Sequence, residues 1–146
     1  AITETLNVLA ELGVVIHDGD IIKIPSPTTD KYANLTDLAE IIEPTLERFH
    51  IVTAILKHGP VDSTDQLENA ASGIAQQLST IYGLSAPEFF DKKLFARFIT
   101  TLRQQRCLDE QVGVTSEPKF DRLSYIVQAY LDSDVSYNVL QAIHGK

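Results

Sequence analysis

Ile2, Leu6, Leu9 and Leu12 recur at helical spacing and stop at Gly13, a residue suited to the left-handed end of a helix, so a short amphipathic helix opens the chain. The pattern then changes. Val14-Val15-Ile16 and Ile21-Ile22-Lys23-Ile24 are β-branched runs set around His17-Asp18-Gly19-Asp20, and an Asp-Gly pair between such runs is the strongest short signal for a hairpin. Pro25 and Pro27 close that ladder, since proline has no N–H to give it. From Leu35 the apolar positions Leu38, Ile42, Leu46, Phe49, Val52 and Leu56 follow one helical face for about six turns, until His58-Gly59-Pro60 ends it. Pro44 lies inside this stretch and should kink the helix or split it in two.

A further helix opens at Asp62 or Ser63, carries Asp65 and Gln66 in its first turn, and runs through Leu67, Ala71, Ile74, Leu78 and Tyr82 to Gly83. Residues 84–91 read as a linker. Asp91 is placed to cap a helix that turns Leu94, Phe95, Phe98, Ile99 and Leu102 inward. The stretch Asp109–Glu117 is polar and loop-like, Pro118 restarts a helix with Phe120, Leu123, Val127 and Leu131 on one face, and a last turn or two, Val135–Ile143, follows. The expected fold class is therefore mainly α: a multi-helix domain with one small β-hairpin near the N-terminus. Residues 1–146 are expected to form a single helical domain, with a helix-plus-hairpin subregion at 1–27 and a helical body at 35–146.

Composition agrees with a packed domain. The 146 residues are 44% hydrophobic and 22% charged, and a chain of this length buries roughly 70% of its unfolded surface. The net charge of −8 is uneven: residues 1–70 hold 12 acids and 4 bases, and residues 71–146 hold 8 of each. An acidic first half repels phosphate backbones, so no nucleic-acid partner is expected. The apolar run Ile51–Leu56 is far short of the ~20 residues a bilayer requires, and the N-terminal residues lack the basic and apolar regions of a signal peptide. A single Cys107 allows no internal disulfide framework and reads as a core or half-buried thiol.

Little in the chain points to chemistry. The histidines His17, His50, His58 and His144 have no second His, Cys or carboxylate at metal-ligand spacing. His17-Asp18 belongs to a turn, and His58 with Asp62 brackets a helix stop and a cap. Cys107 has Arg106 beside it but no evident base, and no glycine-rich phosphate loop occurs, so no cofactor is expected. Lys92, Lys93, Arg97, Arg103 and Arg106 cluster on or just beyond one helix and could attract anionic lipid or an acidic partner. They do not all share one angular sector, however, and a solvated face is the plainer reading. The opening helix and hairpin have the outline of part of a winged helix. That first helix offers Glu4, Asn7 and Glu11 with no positive charge, so the wing is expected to face protein.

The segment Tyr82-Gly83-Leu84-Ser85-Ala86-Pro87-Glu88-Phe89-Phe90-Asp91-Lys92-Lys93-Leu94-Phe95 resembles the C-terminal region of the large, membrane-associated bacterial glycerol-3-phosphate 1-O-acyltransferases. Pro44-Thr45-Leu46-Glu47-Arg48-Phe49, Ala75-Gln76-Gln77-Leu78-Ser79, Phe98 and Thr101-Leu102-Arg103 are similar as well, so the resemblance covers most of residues 35–108. It implies a parent enzyme that moves an acyl group from acyl-carrier protein or acyl-CoA to position 1 of glycerol 3-phosphate, the first step of phospholipid synthesis.

The family's catalytic signature is a histidine followed five residues later by an aspartate, the histidine acting as general base. Here the fifth residue after His17 is Ile22, after His50 Ile55 and after His58 Ser63, while His144 has none. No catalytic residue is carried over. A noncatalytic C-terminal domain with a supporting, regulatory or interaction role is expected, as a piece of a longer chain whose acyltransferase domain lies upstream. The lack of any methionine fits that expectation.

The resemblance further implies the catalytic domain of the same polypeptide as partner; the basic helix adds an anionic membrane surface as a candidate, and a homo-oligomer is a further one. It places the parent peripherally on the cytoplasmic face of the bacterial inner membrane. Candidate interface residues are Pro87, Glu88, Phe89, Phe90, Asp91, Lys92, Lys93 and Arg97, with Phe89 and Phe90 facing opposite ways. The alternative is a freestanding helical interaction module that binds anionic membrane or an acidic partner through the basic helix 92–106.

Overall fold

The computed structural model describes residues 2–82 and 87–145. Its elements run α1 (Ile2–Glu11), β1 (Ile16–Asp18), β2 (Ile21–Lys23), α2 (Asp30–His58), α3 (Thr64–Tyr82), a 3-10 turn (Pro87–Phe90), α4 (Lys92–Gln104), α5 (Glu117–Ala129) and α6 (Ser133–His144). The fold class is the expected one, mainly α with one small antiparallel hairpin near the N-terminus. The expected helix stop at Gly83 and the linker residues 84–86 lie outside the described residues.

The chain divides into two compact units, residues 1–43 and 44–146. The dividing line falls at Pro44, inside α2. α2 is neither split at Pro44 nor delayed to Leu35; it runs from Asp30 to His58 as one helix. Its early start comes from a cap that apolar periodicity does not report: the Thr29 hydroxyl accepts from the Tyr32 N–H at 3.4 Å and donates to the Ser26 carbonyl at 2.7 Å.

In unit 1, α1 ends as expected, with Gly13 at φ +72°. The hairpin pairs Ile16 with Lys23, His17 with Ile22 and Asp18 with Ile21. That register makes Gly19-Asp20 the two central turn residues. Gly19 at φ +63° takes the first central position, the glycine site of a type II′ turn. Asp18 and Lys23 add an exposed ion pair at 2.6 Å. Both strands are exposed throughout, and Val14 and Pro25 are the buried residues among those described in this unit.

Unit 2 holds the core. Ile51, Val52 and Ile55 of α2 meet Leu67, Ala71, Ala75 and Leu78 of α3 and Phe95, Ile99 and Leu102 of α4. Val127 of α5 and Val139 of α6 join the same cluster. α3 begins with a near capping box: Ser63 Oγ accepts from the Gln66 N–H at 3.3 Å, and Gln66 Oε1 reaches back to the Asp62 N–H at 3.0 Å. The expected polar loop after α4 is a knotted turn. Asp109 Oδ1 accepts from the N–H groups of Gln111 (2.8 Å) and Gly113 (2.7 Å), Leu108 bridges to Val114, and Leu108 and Val112 are buried.

Because Phe95 is 1% exposed and Ile24 is 70% exposed, the two positions should respond oppositely to truncation. Urea unfolding should show a loss of about 3–5 kcal/mol for Phe95→Ala, against a change within about 0.5 kcal/mol for Ile24→Ala.

Candidate functional site

Two stretches far apart in the sequence, 44–49 and 87–95, meet around one aromatic ring. Phe89 is buried, and the Arg48 guanidinium carbon sits 5.8 Å from its ring centre, within cation–π range. Arg48 is steadied by an Nη2 bond to Thr45 Oγ1 at 3.0 Å. The neighbouring Phe90 is half-buried, and its carbonyl accepts from Ser72 Oγ at 2.7 Å. Asp91 caps α4, its Oδ1 taking the Lys93 N–H at 2.9 Å. Lys92 Nζ donates to Asn69 Oδ1 on α3.

Among the candidate interface residues, then, Phe89, Phe90, Asp91 and Lys92 are engaged within unit 2. Lys93 and Arg97 are exposed, and their side chains make no hydrogen bond or ion pair with the described residues. The side chains of Pro87 and Glu88 lie outside what is described.

Helix α4 carries a second stripe beside its core face. Leu94, Phe98, Thr101 and Gln105, the residue that caps its C-terminal end, follow one another at intervals of four, three and four residues, which aligns them along the helix axis. This stripe forms one wall of a cavity of about 540 Å³, inside the range of small-molecule sites, roughly 300–1,000 Å³. Against it, the Phe49 ring of α2 stacks on Phe98 with centroids 3.9 Å apart and planes 11° apart, so the two rings line the cavity together. Leu123 of α5 and the buried Cys107 complete the apolar lining. Arg48, Arg97 and Lys119 supply its charge, and among the described residues no Asp or Glu lines it.

The basic residues of α4 serve different ends. Arg103 donates through Nη2 to Thr64 Oγ1 and to the Glu110 carbonyl at 3.1 Å, and through Nε to the Asp109 carbonyl at 3.1 Å. It joins the start of α3 to the Asp109 turn, a planar fork used as a structural tie. Lys92 points to α3, Arg97 to the cavity, and Arg106 follows the helix at φ +56°. Sequence spacing gave no sign of Arg103's carbonyl partners, nor that Arg48 and Lys119 would join Arg97. The one usable signal was the 94–98–101–105 stripe.

The histidines are dispersed. His17 lies on exposed β1, and the rings of His58 and His144 are 6.1 Å apart, with His144 Nδ1 within 2.9 Å of the Leu140 carbonyl. His50 is buried with both ring nitrogens unpartnered, and desolvation holds its pKa below the ordinary 6.5. Among the described residues, no three His, Cys, Asp or Glu side chains could share a metal ion.

A neutral His50 in the fold means that the unfolded chain binds the extra proton as pH falls through 6.5. Stability is then full above that value and declines below it. His50→Leu should flatten this acid-side decline in thermal melts between neutral and mildly acidic pH, because it removes both the titration and the unpartnered nitrogens. Arg103→Lys keeps the charge but loses the fork, and should lower the unfolding free energy by about 1 kcal/mol in the same melts.

The family model described as the glycerol-3-phosphate acyltransferase C-terminal region matches residues 1–111. Glycerol-3-phosphate acyltransferases of Pseudomonas putida strains KT2440 and GB-1 are 36% and 40% identical over alignments of 149 positions, covering 98% of this chain and 18% of each relative. That of Pseudomonas aeruginosa UCBPP-PA14 is 38% identical over 109 positions, covering 73% of this chain and 13% of the relative. The chain thus spans under a fifth of the length of these curated relatives. No solved structure matches it significantly. The two stretches that meet at Phe89, together with the helix and hairpin of unit 1, fall inside the matched residues, and the chain belongs to the family of glycerol-3-phosphate acyltransferase C-terminal regions.

Proposed function

We propose that this chain is a noncatalytic part of a glycerol-3-phosphate acyltransferase, and that it supports the catalytic domain of the same polypeptide through unit 1. The acyl transfer itself, from an acyl thioester to glycerol 3-phosphate, then belongs to residues outside this chain. In that reading the whole enzyme works peripherally at the cytoplasmic face of the inner membrane. Among the described residues, no helix is long and apolar enough to cross a bilayer.

The observation that carries the proposal is the surface of unit 1. Of the fifteen large hydrophobic side chains exposed among the described residues, nine lie there: Ile2, Val8 and Leu12 around α1, Ile16, Ile21, Ile22 and Ile24 on the hairpin, and Ile41 and Ile42 on α2. Apolar surface at this density marks an interaction site. Residues 1–43 also hold eight acids and two bases, so the complementary surface is apolar with a basic rim. A two-stranded hairpin is marginal by itself, and burial against a larger body would stabilise it.

Incubated with glycerol 3-phosphate and a long-chain acyl thioester, this chain alone should form no acylated product, and turnover would overturn the noncatalytic reading. In the full-length enzyme, Ile22→Glu with Ile24→Glu should lower both acyltransferase activity and the yield of folded protein. The same pair in the isolated chain should leave the unfolding of unit 2 unchanged. Full activity in the doubly substituted enzyme would sink the assignment of unit 1 as the contact surface.

A further inference from the structure

We infer that the cavity between α2, α4 and α5 binds a single-chain amphiphile with an anionic head, an alkyl chain ending in a phosphate or a carboxylate. The inference rests on this cavity alone and is independent of the reaction performed by the whole protein.

Shape is the first argument. The stripe from Leu94 to Gln105 runs eleven residues along α4, which at the helical rise is about 16 Å. A trough of that length suits an extended alkyl chain better than a compact ring. Its walls suit one as well: the stacked rings of Phe49 and Phe98, with Leu94, Leu102 and Leu123, offer carbon along the trough. Phe98 and Leu102 are buried and anchored in the core, so the walls are preformed and do not have to be assembled on binding.

Charge is the second argument. The whole chain holds 20 acids against 12 bases, yet among the described residues this lining has three bases and no acid. The side chains of Arg97 and Lys119 make no hydrogen bond or ion pair with the described residues, so their donors remain available to a ligand. Arg48 is held by Thr45 and by the ring of Phe89, a fixed positive wall rather than a searching one. Two available cations from α4 and α5 beside a fixed third match an anionic head, and they disfavour a neutral or cationic one. An apolar trough without these cations would take any hydrocarbon. Cations without the trough would take any small anion. Their combination selects the amphiphile.

Amide shifts in nitrogen-15 NMR of this chain provide the test, with dodecyl phosphate and dodecanoate kept below micelle formation, and with dodecyltrimethylammonium and inorganic phosphate as controls. The two anionic amphiphiles should shift the amides of Arg97, Thr101 and Gln105 saturably. The cationic amphiphile should bind at least about tenfold more weakly, and phosphate alone should not saturate. Arg97→Glu with Lys119→Glu should weaken dodecyl phosphate by about tenfold with an unchanged melting curve, because neither side chain has a partner to lose among the described residues. Thr101→Trp, which fills the trough from an exposed position, should abolish binding of all three amphiphiles. Equal affinity for anionic and cationic amphiphiles would overturn the proposal, as would saturable binding of phosphate alone. Association with anionic vesicles without any shift from the monomeric amphiphiles would replace it with a membrane surface.

Discussion

Helix α4 has more apolar surface than one neighbour can cover, and the arrangement of unit 2 follows from how that excess is distributed. Phe95, Ile99 and Leu102 press into the cluster shared with α2 and α3, while Leu94 and Phe98 turn toward Phe49 and α5. Two stripes at helical spacing on thirteen residues leave a narrow polar sector. The helix must therefore be fixed in rotation as well as in position. Its start is set by the Asp91 cap and the buried Phe89, and its end by the Arg103 fork on Thr64 and the Asp109 turn. A small rotation would move Phe98 off Phe49 and change the cavity.

Much of this was readable from residue order because the signals were local. Gly13 ended α1 and Asp91 capped α4, while Phe89 is buried in the core and Phe90 is half-buried against it. Cys107 is the buried thiol its context suggested. Local signals with two readings were settled only by the structure. Asp18-Gly19 marked the hairpin correctly, but the register shifts the turn centre to Gly19-Asp20. The polar stretch after Asp109 looked like open loop because its order comes from one carboxylate bonding its own backbone, a pattern with no periodicity.

The cavity was the least readable feature. Arg48, Arg97 and Lys119 come from three helices, separated by 49 and 22 positions, and no spacing rule links residues brought together by packing. The early start of α2 was missed for a related reason: residues 30–34 are mostly polar, and their helix rests on the Thr29 cap and not on an apolar face. Unit 1 presents the opposite case, with its elements plain in the sequence and its exposed apolar surface visible only once they are folded. Local pattern specifies which elements form; it does not specify which of their faces find cover within the chain.

The fork of Arg103 changes what the positive charge of α4 means. A helix rich in Lys and Arg invites a charge-reversal scan read as a map of one binding surface. On this helix the scan would combine two unrelated quantities. Reversal at Arg103 places a carboxylate against the carbonyls of Asp109 and Glu110 and reports on folding, while reversal at Arg97, six residues earlier, reports on whatever the cavity holds. Charge that looks interchangeable along the chain is divided, side chain by side chain, between holding the helix in place and meeting something outside it.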